Sequence, residues 1–380
     1  MTRNNSMGEL ELYFHIPFCK QKCKYCDFLS APATKQVQNA YMEALLQELR
    51  SCPEEGDLIT SVFIGGGTPS VVDAAWIPRL LDEVRRRFLI SEDVEISMEV
   101  NPGTVTRESL ELYRAAGINR LSIGCQSAEN EELVRIGRIH NFSQFLDTYR
   151  WAREAGFDNI NVDLMCALPR QSIEAWERTL HRILALNPAP EHISAYSLIV
   201  EEDTEFHRMY ERGELELPDE DTERDMYWRT AEILRSAGYL HYEISNYARE
   251  GYVCRHNCGY WQRTDYLGFG IGAASLYHNV RFRNGDSLEH YLANPLGCRQ
   301  EQQVLSVKEQ MAETFILGLR MAEGVSLQIF RETYGRDVEE VYGNVIEESI
   351  AEGLLTEREG RLVLTERGVD ISNYVMVKFI

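Results

Sequence analysis

The stretch H-I-P-F-C-K-Q-K-C-K-Y-C-D-F, from His15 to Phe28, places Cys19, Cys23 and Cys26 in a C-x3-C-x2-C pattern directly behind an apolar, strand-like segment. A structural zinc site or an ordinary iron–sulfur centre is closed by four protein ligands. Three thiolates leave one position for a ligand from outside the protein, which favours a reactive site. The residues fit three irons of a 4Fe-4S cluster. A zinc site completed by His15, or cysteines that pack in a turn, are the alternatives.

The composition of the 380-residue chain argues against several classes of protein. Lys and Arg number 39 against 60 Asp and Glu, and the formal net charge of -21 repels nucleic acid and anionic lipid at long range. No apolar stretch of about 18 residues predicts a membrane span, and the short leader M-T-R-N-N-S-M-G-E lacks the apolar core of a secretory signal. The nine cysteines are irregularly spaced outside the first three, which favours a reducing compartment. We expect a cytoplasmic protein with no nucleic-acid partner and no transmembrane segment.

From Glu9 onward, short apolar segments alternate with stretches of helical periodicity, as in parallel strands joined by crossover helices. The predicted strands are Leu10 to Ile16, Ser61 to Ile64, Val94 to Val100, Arg120 to Gly124, Asn159 to Met165 and His192 to Leu198. The predicted helices are Val37 to Leu49, Ala74 to Arg87, Arg107 to Ala116, Gln144 to Ala155 and Ile173 to Leu186. Six units instead of eight predict an α/β fold with an incomplete, TIM-like (β/α)6 barrel that is open on one side.

Polar residues with useful chemistry lie at or just after the ends of the predicted strands. The second strand leads into G-G-G-T-P (Gly65 to Pro69), the third ends near Glu99, the fourth leads to Gln126, and the fifth contains Asp163. Each feature alone also fits a tight turn or a helix start. In βα barrels, however, the active site is built at the carboxyl ends of the strands, so we expect one opening to collect these side chains.

The second half of the chain has a different pattern. An acidic, helix-prone stretch after Glu201 leads into a helix that ends near Ala237, and Tyr239 to Tyr247 alternates like a strand. Further helices are predicted near Lys308 to Met321, Leu327 to Tyr334 and Val338 to Glu352, followed by a hairpin (Leu355 to Leu364) and a last helix (Glu366 to Tyr374).

This layout predicts three parts. Residues 1–220 form the partial barrel, 221–300 form a connecting α+β segment, and 301–380 form a C-terminal, mainly helical domain that ends in a winged-helix-like hairpin. The acidic surroundings of the hairpin do not favour DNA binding, so we expect a lid or a partner surface there.

The motif H-I-P-F-C-x3-C-x-Y-C resembles the signature of the radical S-adenosylmethionine proteins. The resemblance implies a 4Fe-4S cluster on Cys19, Cys23 and Cys26, with the amino and carboxylate groups of S-adenosylmethionine on the remaining iron. It also implies reductive cleavage of the sulfonium to a 5'-deoxyadenosyl radical, and a contact between the glycine motif and the methionyl amino group.

Within that superfamily, the chain is similar to the oxygen-independent coproporphyrinogen III oxidases. The similarity implies contacts with S-adenosylmethionine at Tyr13, Tyr25, Gly66, Gly67, Thr68, Glu99, Gln126, Arg138 and Asp163. The chemistry agrees, because carboxylates suit ribose hydroxyls or an amino group and an arginine suits a carboxylate bidentately. Two departures stand out: Phe28 occupies the place of a further cysteine in the oxidases, and the leader is shorter than theirs.

The stretch R-H-N-C-G-Y-W resembles the H-N-x-x-Y-W motif of the heme chaperone family HemW. A neutral imidazole can ligate heme iron, and flat aromatic faces suit a macrocycle. From the residues alone, a buried aromatic turn with a hydrogen-bonded histidine is the alternative. Cys254 and Cys258 flank the histidine but are too few for a second metal centre. The resemblance implies heme-binding residues at His256, Asn257, Tyr260 and Trp261.

Two functions follow from these resemblances. The first is a heme chaperone that binds heme, a 4Fe-4S cluster and S-adenosylmethionine and passes heme to an acceptor protein such as a respiratory enzyme. The second is an enzyme of the oxygen-independent coproporphyrinogen III oxidase type, which oxidatively decarboxylates porphyrinogen propionates. Phe28 and the short leader favour the first. The sequence leaves open whether the protein is an enzyme, whether heme is held covalently, and the oligomeric state, a homodimer included.

Overall fold

The computed structural model describes residues 8–54 and 56–380, so most of the leader, residues 1–7, lies outside the described residues. The first half of the fold is built on six parallel strands, each hydrogen-bonded to the next one along the chain. They are β1 (Glu9–Ile16), β2 (Leu58–Gly66), β3 (Leu89–Val100), β4 (Arg120–Gln126), β5 (Ile160–Cys166) and β6 (His192–Ser197). All six predicted strands are present.

The crossover helices are also present. They are α1 (Lys35–Arg50), α2 (Trp76–Arg87), α3 (Arg107–Ala116), α4 (Asn130–Arg135), α5 (Phe142–Glu154) and α6 (Ile173–Leu184). Helix α3 starts at a capping box between Thr106 and Ser109 and ends at Gly117, whose φ of 104° lies in the left-handed region that favours glycine. Short α4 was not predicted.

Strand β4 shows how the sequence sorts side chains between the core and the interior of the curved sheet. Leu121, Ile123 and Cys125 are buried in the hydrophobic core. The intervening residues Ser122 and Gly124 line an interior cavity instead. This alternation follows from the two-residue period of a strand, and it reserves one face of the sheet for polar chemistry.

The second half of the chain widens the sheet at both edges. Its elements are α7 (Glu205–Glu211), α8 (Glu220–Ser236), β7 (Leu240–Glu243), β8 (Asn246–Ala248), α9 (Arg255–Trp261), β9 (Asp265–Phe269), β10 (Ala274–Tyr277), β11 (Val280–Asn284), α10 (Leu288–Ala293) and β12 (Arg299–Val304). The strand order is β12-β11-β10-β9-β1-β2-β3-β4-β5-β6-β8-β7. Strand β9 is parallel to β1, so this edge of the predicted barrel is covered.

The prediction of one strand over Tyr239 to Tyr247 is wrong, because the segment folds back on itself as β7 and β8. The Glu243 carboxylate accepts hydrogen bonds from the backbone N–H of Ser245 at 2.8 Å and from the Asn246 side-chain amide at 2.6 Å. These bonds stabilise a turn in the middle of the predicted strand. Strand β8 then pairs antiparallel with β6.

The C-terminal part has its own apolar core and a three-stranded sheet in the order β13-β15-β14. Its elements are α11 (Val307–Gly318), β13 (Val325–Ser326), α12 (Leu327–Tyr334), α13 (Val338–Ala351), β14 (Leu355–Arg358), β15 (Arg361–Leu364), α14 (Glu366–Asp370) and α15 (Ser372–Val377). The stacked rings of Phe315 and Phe379 lie 4.3 Å apart in this core. The predicted last helix is interrupted at Ile371, whose backbone (φ -124°, ψ 38°) leaves the helical region. Among the described residues, every helix is too short or too polar to span a membrane.

Candidate functional site

A cavity of about 450 Å³ lies at the carboxyl ends of the parallel strands. It is lined by the cysteine loop after β1, the glycine motif after β2 and the ends of β3 to β6. Most of the predicted site residues meet there: Cys19, Cys23, Cys26, Tyr25, Gly66, Gly67, Thr68, Glu99, Gln126, Arg138 and Asp163. The structure therefore brings residues that are up to about 140 positions apart in sequence to one opening, as the strand-end rule predicts.

The cysteine loop is held by backbone hydrogen bonds that turn its thiols toward the cavity. The N–H of Cys19 donates to the carbonyl of Ala31 at 3.2 Å, and the N–H of Lys24 donates to the carbonyl of Ile136 at 3.1 Å. All three cysteines are partly exposed. Burial raises the pKa of the Cys26 thiol to about 11, so iron binding there displaces a proton.

The donor set fits an iron–sulfur cluster better than a zinc ion completed by His15. Both ring nitrogens of His15 are engaged: Nδ1 lies 3.0 Å from the Tyr13 hydroxyl and Nε2 lies 2.9 Å from the Leu29 carbonyl oxygen. In residues 8–54 and 56–380, no three His, Cys, Asp or Glu side chains are placed to hold one metal ion. In a cluster each thiolate binds a different iron, so the thiols need only surround a common space.

The glycine motif packs directly against the cysteine loop. A Cβ atom on Gly67 would lie 2.8 Å from the carbonyl oxygen of Phe18 and 3.0 Å from the Sγ of Cys19. The next residue, Thr68, has its hydroxyl 3.5 Å from the same sulfur. A side chain at position 67 would separate the two loops, so glycine is required for their close approach.

Two half-buried carboxylates, Glu99 and Asp163, face the cavity from β3 and β5. Desolvation, together with the nearby charge of Asp163, raises the pKa of Glu99 to about 8. Desolvation also raises the pKa of Asp163, whose carboxylate accepts hydrogen bonds from Ser122 and Asn161, both at 2.8 Å. The groups that donate to these carboxylates are neutral. A ligand with a positive charge, such as a sulfonium or an amine, would stabilise their ionised forms.

Gln126 and Arg138 are placed by an irregularity in β4. The pairing of β4 with β5 shifts register between Gly124 and Gln126, and Gln126 adopts a left-handed φ of 68° that is uncommon outside glycine. The Arg138 Nη2 donates to the Gly124 carbonyl at 2.7 Å and to Asn101 Oδ1 at 2.5 Å, while Nε is buried without a partner. Nη1 donates to Cys23 Sγ at 3.8 Å. The guanidinium thus links Asn101 and β4 to the cysteine loop, and its positive charge lines the cavity, where it favours an anionic group of a ligand.

The cavity is also lined by Asn101, Ser122 and Gly124, to which the sequence analysis assigned no role. The sequence does contain indications of these residues. Asn101 follows β3 within two residues of Glu99, and Ser122 and Gly124 alternate along β4 with the apolar residues that face the core. A Cβ atom on Gly124 would lie 2.5 Å from Asn101 Oδ1 and 2.9 Å from Arg138 Nη2. The strand carries glycine there because the arginine crosses it.

A second cavity of about 180 Å³ lies deeper between the strands and shares Glu99, Ser122, Asp163 and Tyr196 with the first. Tyr13, predicted to contact S-adenosylmethionine, lines this deeper cavity and not the cluster cavity. Three residues of the H-N-x-x-Y-W motif line it as well: His256, Asn257 and Tyr260. Trp261 lies outside both cavities, with the Arg320 guanidinium 4.4 Å above its ring.

Helix α9, which carries that motif, closes the amino-terminal side of the strands. The Glu95 carboxylate on β3 accepts hydrogen bonds from the backbone N–H groups of Arg255 at 3.0 Å and His256 at 3.5 Å, the first residues of the helix. Gly259 lies so close to Glu11 of β1 that a Cβ atom would be 2.2 Å from its Oε1. Helix α9 therefore packs closely against β1 and β3 and covers the amino-terminal side of the strands. We call this helix the floor of the sheet.

His256 is enclosed within this floor. It is 1% exposed; its Nδ1 lies 2.7 Å from the Ser61 hydroxyl and its Nε2 lies 3.0 Å from the Tyr260 hydroxyl. Desolvation and the charge of Arg120 lower its pKa to about 3, while burial raises the pKa of nearby Glu11 to about 9. Both groups are neutral at pH 7, so their 3.6 Å contact is not a salt bridge. The described geometry matches the alternative reading of the motif, a buried and hydrogen-bonded histidine.

Comparison with known proteins gives matches to both halves of the chain. Residues 13–183 match the Radical SAM superfamily, and residues 305–371 match the HemN C-terminal domain. The "Heme chaperone HemW" of Lactococcus lactis is 38% identical over 369 residues, which cover 97% of this chain and 96% of that protein. The "Heme chaperone HemW" of Escherichia coli is 37% identical over 380 residues, 98% of each chain.

A solved structure shares the same fold. Coproporphyrinogen III oxidase (HemN) from Escherichia coli, described as a radical SAM enzyme, superposes with a TM-score of 0.85 over 98% of this chain and 90% of that chain. The two sequences are 24% identical, so this likeness concerns the fold alone.

Proposed function

The chain belongs to the heme chaperone HemW family within the radical SAM superfamily, and from this premise we propose that it binds heme and transfers it to an acceptor protein. The observation that carries the proposal is identity of 38% across nearly the whole of both chains, which includes the segment after residue 200 as well as the strands around the cavity. A match limited to the strands would support only the superfamily's shared chemistry.

We also propose which residues hold the cofactors implied by the radical SAM domain. Cys19, Cys23 and Cys26 would hold the 4Fe-4S cluster, and the residues around the same cavity would hold S-adenosylmethionine. When bound, this pair supplies one-electron reductive chemistry. Glu99 and Asp163 provide carboxylates for the positively charged part of the nucleotide, and Arg138 provides a positive charge for the methionyl carboxylate.

The finer features of the proposal concern the setting of heme transfer. We propose a respiratory enzyme as the acceptor, the cytoplasm as the compartment and a homodimer as the assembly. Nine free cysteines support a reducing compartment, and heme delivery requires an acceptor that uses heme. Sedimentation of the reconstituted protein with and without heme would test the dimer.

Heme titration tests the proposed function. Anaerobically reconstituted protein is titrated with heme and followed by its Soret absorption, and the loaded protein is then mixed with a heme-free acceptor. We expect stoichiometric binding followed by transfer. Absence of stoichiometric binding would overturn the proposal. In a parallel assay with coproporphyrinogen, S-adenosylmethionine and a reductant, turnover would instead assign an oxidase activity.

A further inference from the structure

We propose that heme is held at the opening of the cluster cavity, against an apolar rim formed by Phe28, Ile139 and Ile199, with its propionates toward Lys20 and Lys22. We call these five residues the heme rim. The inference rests on the proposed function for the identity of the cargo, and it assigns heme to a place other than the motif around His256.

The apolar residues of the rim are exposed although they lie together. Phe28 is 61% exposed, Ile139 42% and Ile199 66%, and all three line the same cavity. They come from three separate segments: the cysteine loop, the turn after α4 and the segment after β6. Large apolar side chains from distant parts of a chain that gather at one opening mark a binding surface for an apolar ligand. A flat macrocycle has this character over most of its area.

The same opening carries positive charge on a chain that is otherwise strongly acidic. The Lys20 ammonium donates to the Gly103 carbonyl at 2.5 Å, and that of Lys22 donates to the Phe28 carbonyl at 3.0 Å. Within the described chain neither is ion-paired with a carboxylate. Asp27 and Glu201 also line the cavity, so the anionic propionates are expected on the side of the lysines.

The rim also lies beside groups of the types that ligate heme iron. Met165 and Tyr196 line the same cavity, and a thioether or a phenol serves as an axial ligand in other heme proteins. The cavity therefore contains side chains of the types that ligate heme iron as well as the apolar rim at its opening.

The motif around His256 lacks these properties. Its histidine is buried, both ring nitrogens are occupied, and the adjoining cavity of about 180 Å³ is smaller than the roughly 300 Å³ at which ligand pockets usually begin. Heme could reach Nε2 only after the bond to Tyr260 broke and the floor opened. Heme that must pass to an acceptor protein can leave an exposed rim without such a rearrangement.

The experiment compares heme affinity in variants of the anaerobically reconstituted full chain. We expect Ile199→Glu and the double variant Lys20→Gln/Lys22→Gln each to raise the Kd for heme about tenfold, because each removes one class of rim contact. Val134→Glu is the matched control: Val134 is an apolar residue that is 75% exposed and lies outside the cavity. His256→Asn should keep heme stoichiometry.

Cluster content and the urea midpoint are measured for every variant, so that loss of the site is distinguished from loss of the fold. Wild-type affinity in both rim variants, together with loss of binding in His256→Asn, would assign heme to the motif and overturn the inference. Wild-type affinity in every variant would also overturn it. If the wild-type protein bound no heme, the proposed function itself would fail, which is a separate result.

Discussion

The carboxylate of Glu99 accepts a hydrogen bond from the backbone N–H of Gly66 at 3.1 Å. This bond ties the end of β3 to the glycine motif after β2, and the motif in turn packs against Cys19. A change in the charge or position of Glu99 is therefore transmitted to the loop that carries the cluster ligands.

Glu99 should make the binding of S-adenosylmethionine pH-dependent. Since its pKa is raised to about 8, the carboxylate is largely protonated at pH 7 and ionises as the pH rises toward 9. The ionised form attracts the fixed positive charge of the sulfonium, so we expect affinity to increase over this interval. Equilibrium dialysis at pH 7, 8 and 9 measures the affinity for S-adenosylmethionine. In Glu99→Gln the affinity should depend less on pH. If the pH dependence is unchanged in this variant, it arises from titration of the ligand and not of Glu99.

The buried carboxyl of Glu11 should make the folded state less stable at alkaline pH. Its pKa is raised from 4.5 to about 9, mainly by desolvation, so between these values the folded state binds more protons than the unfolded state. Stability therefore falls as the pH rises through this window, by at most about 1.4 kcal/mol per pH unit. Glu11→Gln removes the ionisation, and its urea midpoint should change less between pH 6 and 9 than that of the wild type. Parallel pH profiles for the two proteins would contradict the raised pKa.

Cys23 is predicted to be required for the cluster, while Cys258 is not. Cys23→Ala removes one of three thiols that face the cavity, so anaerobic reconstitution should yield far less iron, sulfide and visible charge-transfer absorption. Cys258→Ala is the control, because this cysteine lies on helix α9 away from the cavity. Full cluster content in Cys23→Ala would refute the ligand assignment, and a loss in Cys258→Ala would point to a second iron site.

Gly67→Ala should weaken the site without unfolding the protein. The added methyl group would lie 2.8 Å from the Phe18 carbonyl oxygen and 3.0 Å from Cys19 Sγ, so the cysteine loop must move. We expect reduced cluster content and at least about tenfold weaker binding of S-adenosylmethionine. Gly343→Ala provides the comparison, since a Cβ there meets nothing within 4 Å and alanine favours a helix by about 1 kcal/mol. Equal cluster content in the two variants would show that the loops do not need this close contact.

The strands and helices around the cavity could be predicted because their signals are local. Helix α3 begins after a capping residue, Thr106, and ends at a glycine, Gly117. The side chains of β4 alternate between the core and the cavity because apolar and small or polar residues alternate in its sequence. Strand β12 could not be predicted in this way. Its sequence, R-Q-E-Q-Q-V, is almost entirely polar, so it carries no apolar period, and its pairing with β11 places it at the edge of the sheet.

The hydrogen-bond partners of His256 could not be predicted for a different reason. A motif resemblance identifies the residue but not its partners, and these come from β1, β2 and β3. The contribution of Arg138 was predicted only in part. The sequence suggests a bidentate guanidinium, whereas the structure commits one end of it to Asn101 and Gly124.

The fit of helix α9 against the strands also sets an order on folding. His256 lies 195 positions after Ser61 and 161 after Glu95, so these polar strand residues have no floor when they leave the ribosome. Contacts this distant in sequence form late and slowly. The nascent chain must therefore keep Glu11, Ser61 and Glu95 hydrated until the helix is synthesised, and a chain that stops before residue 255 would expose a polar gap on its inner face to chaperones and proteases.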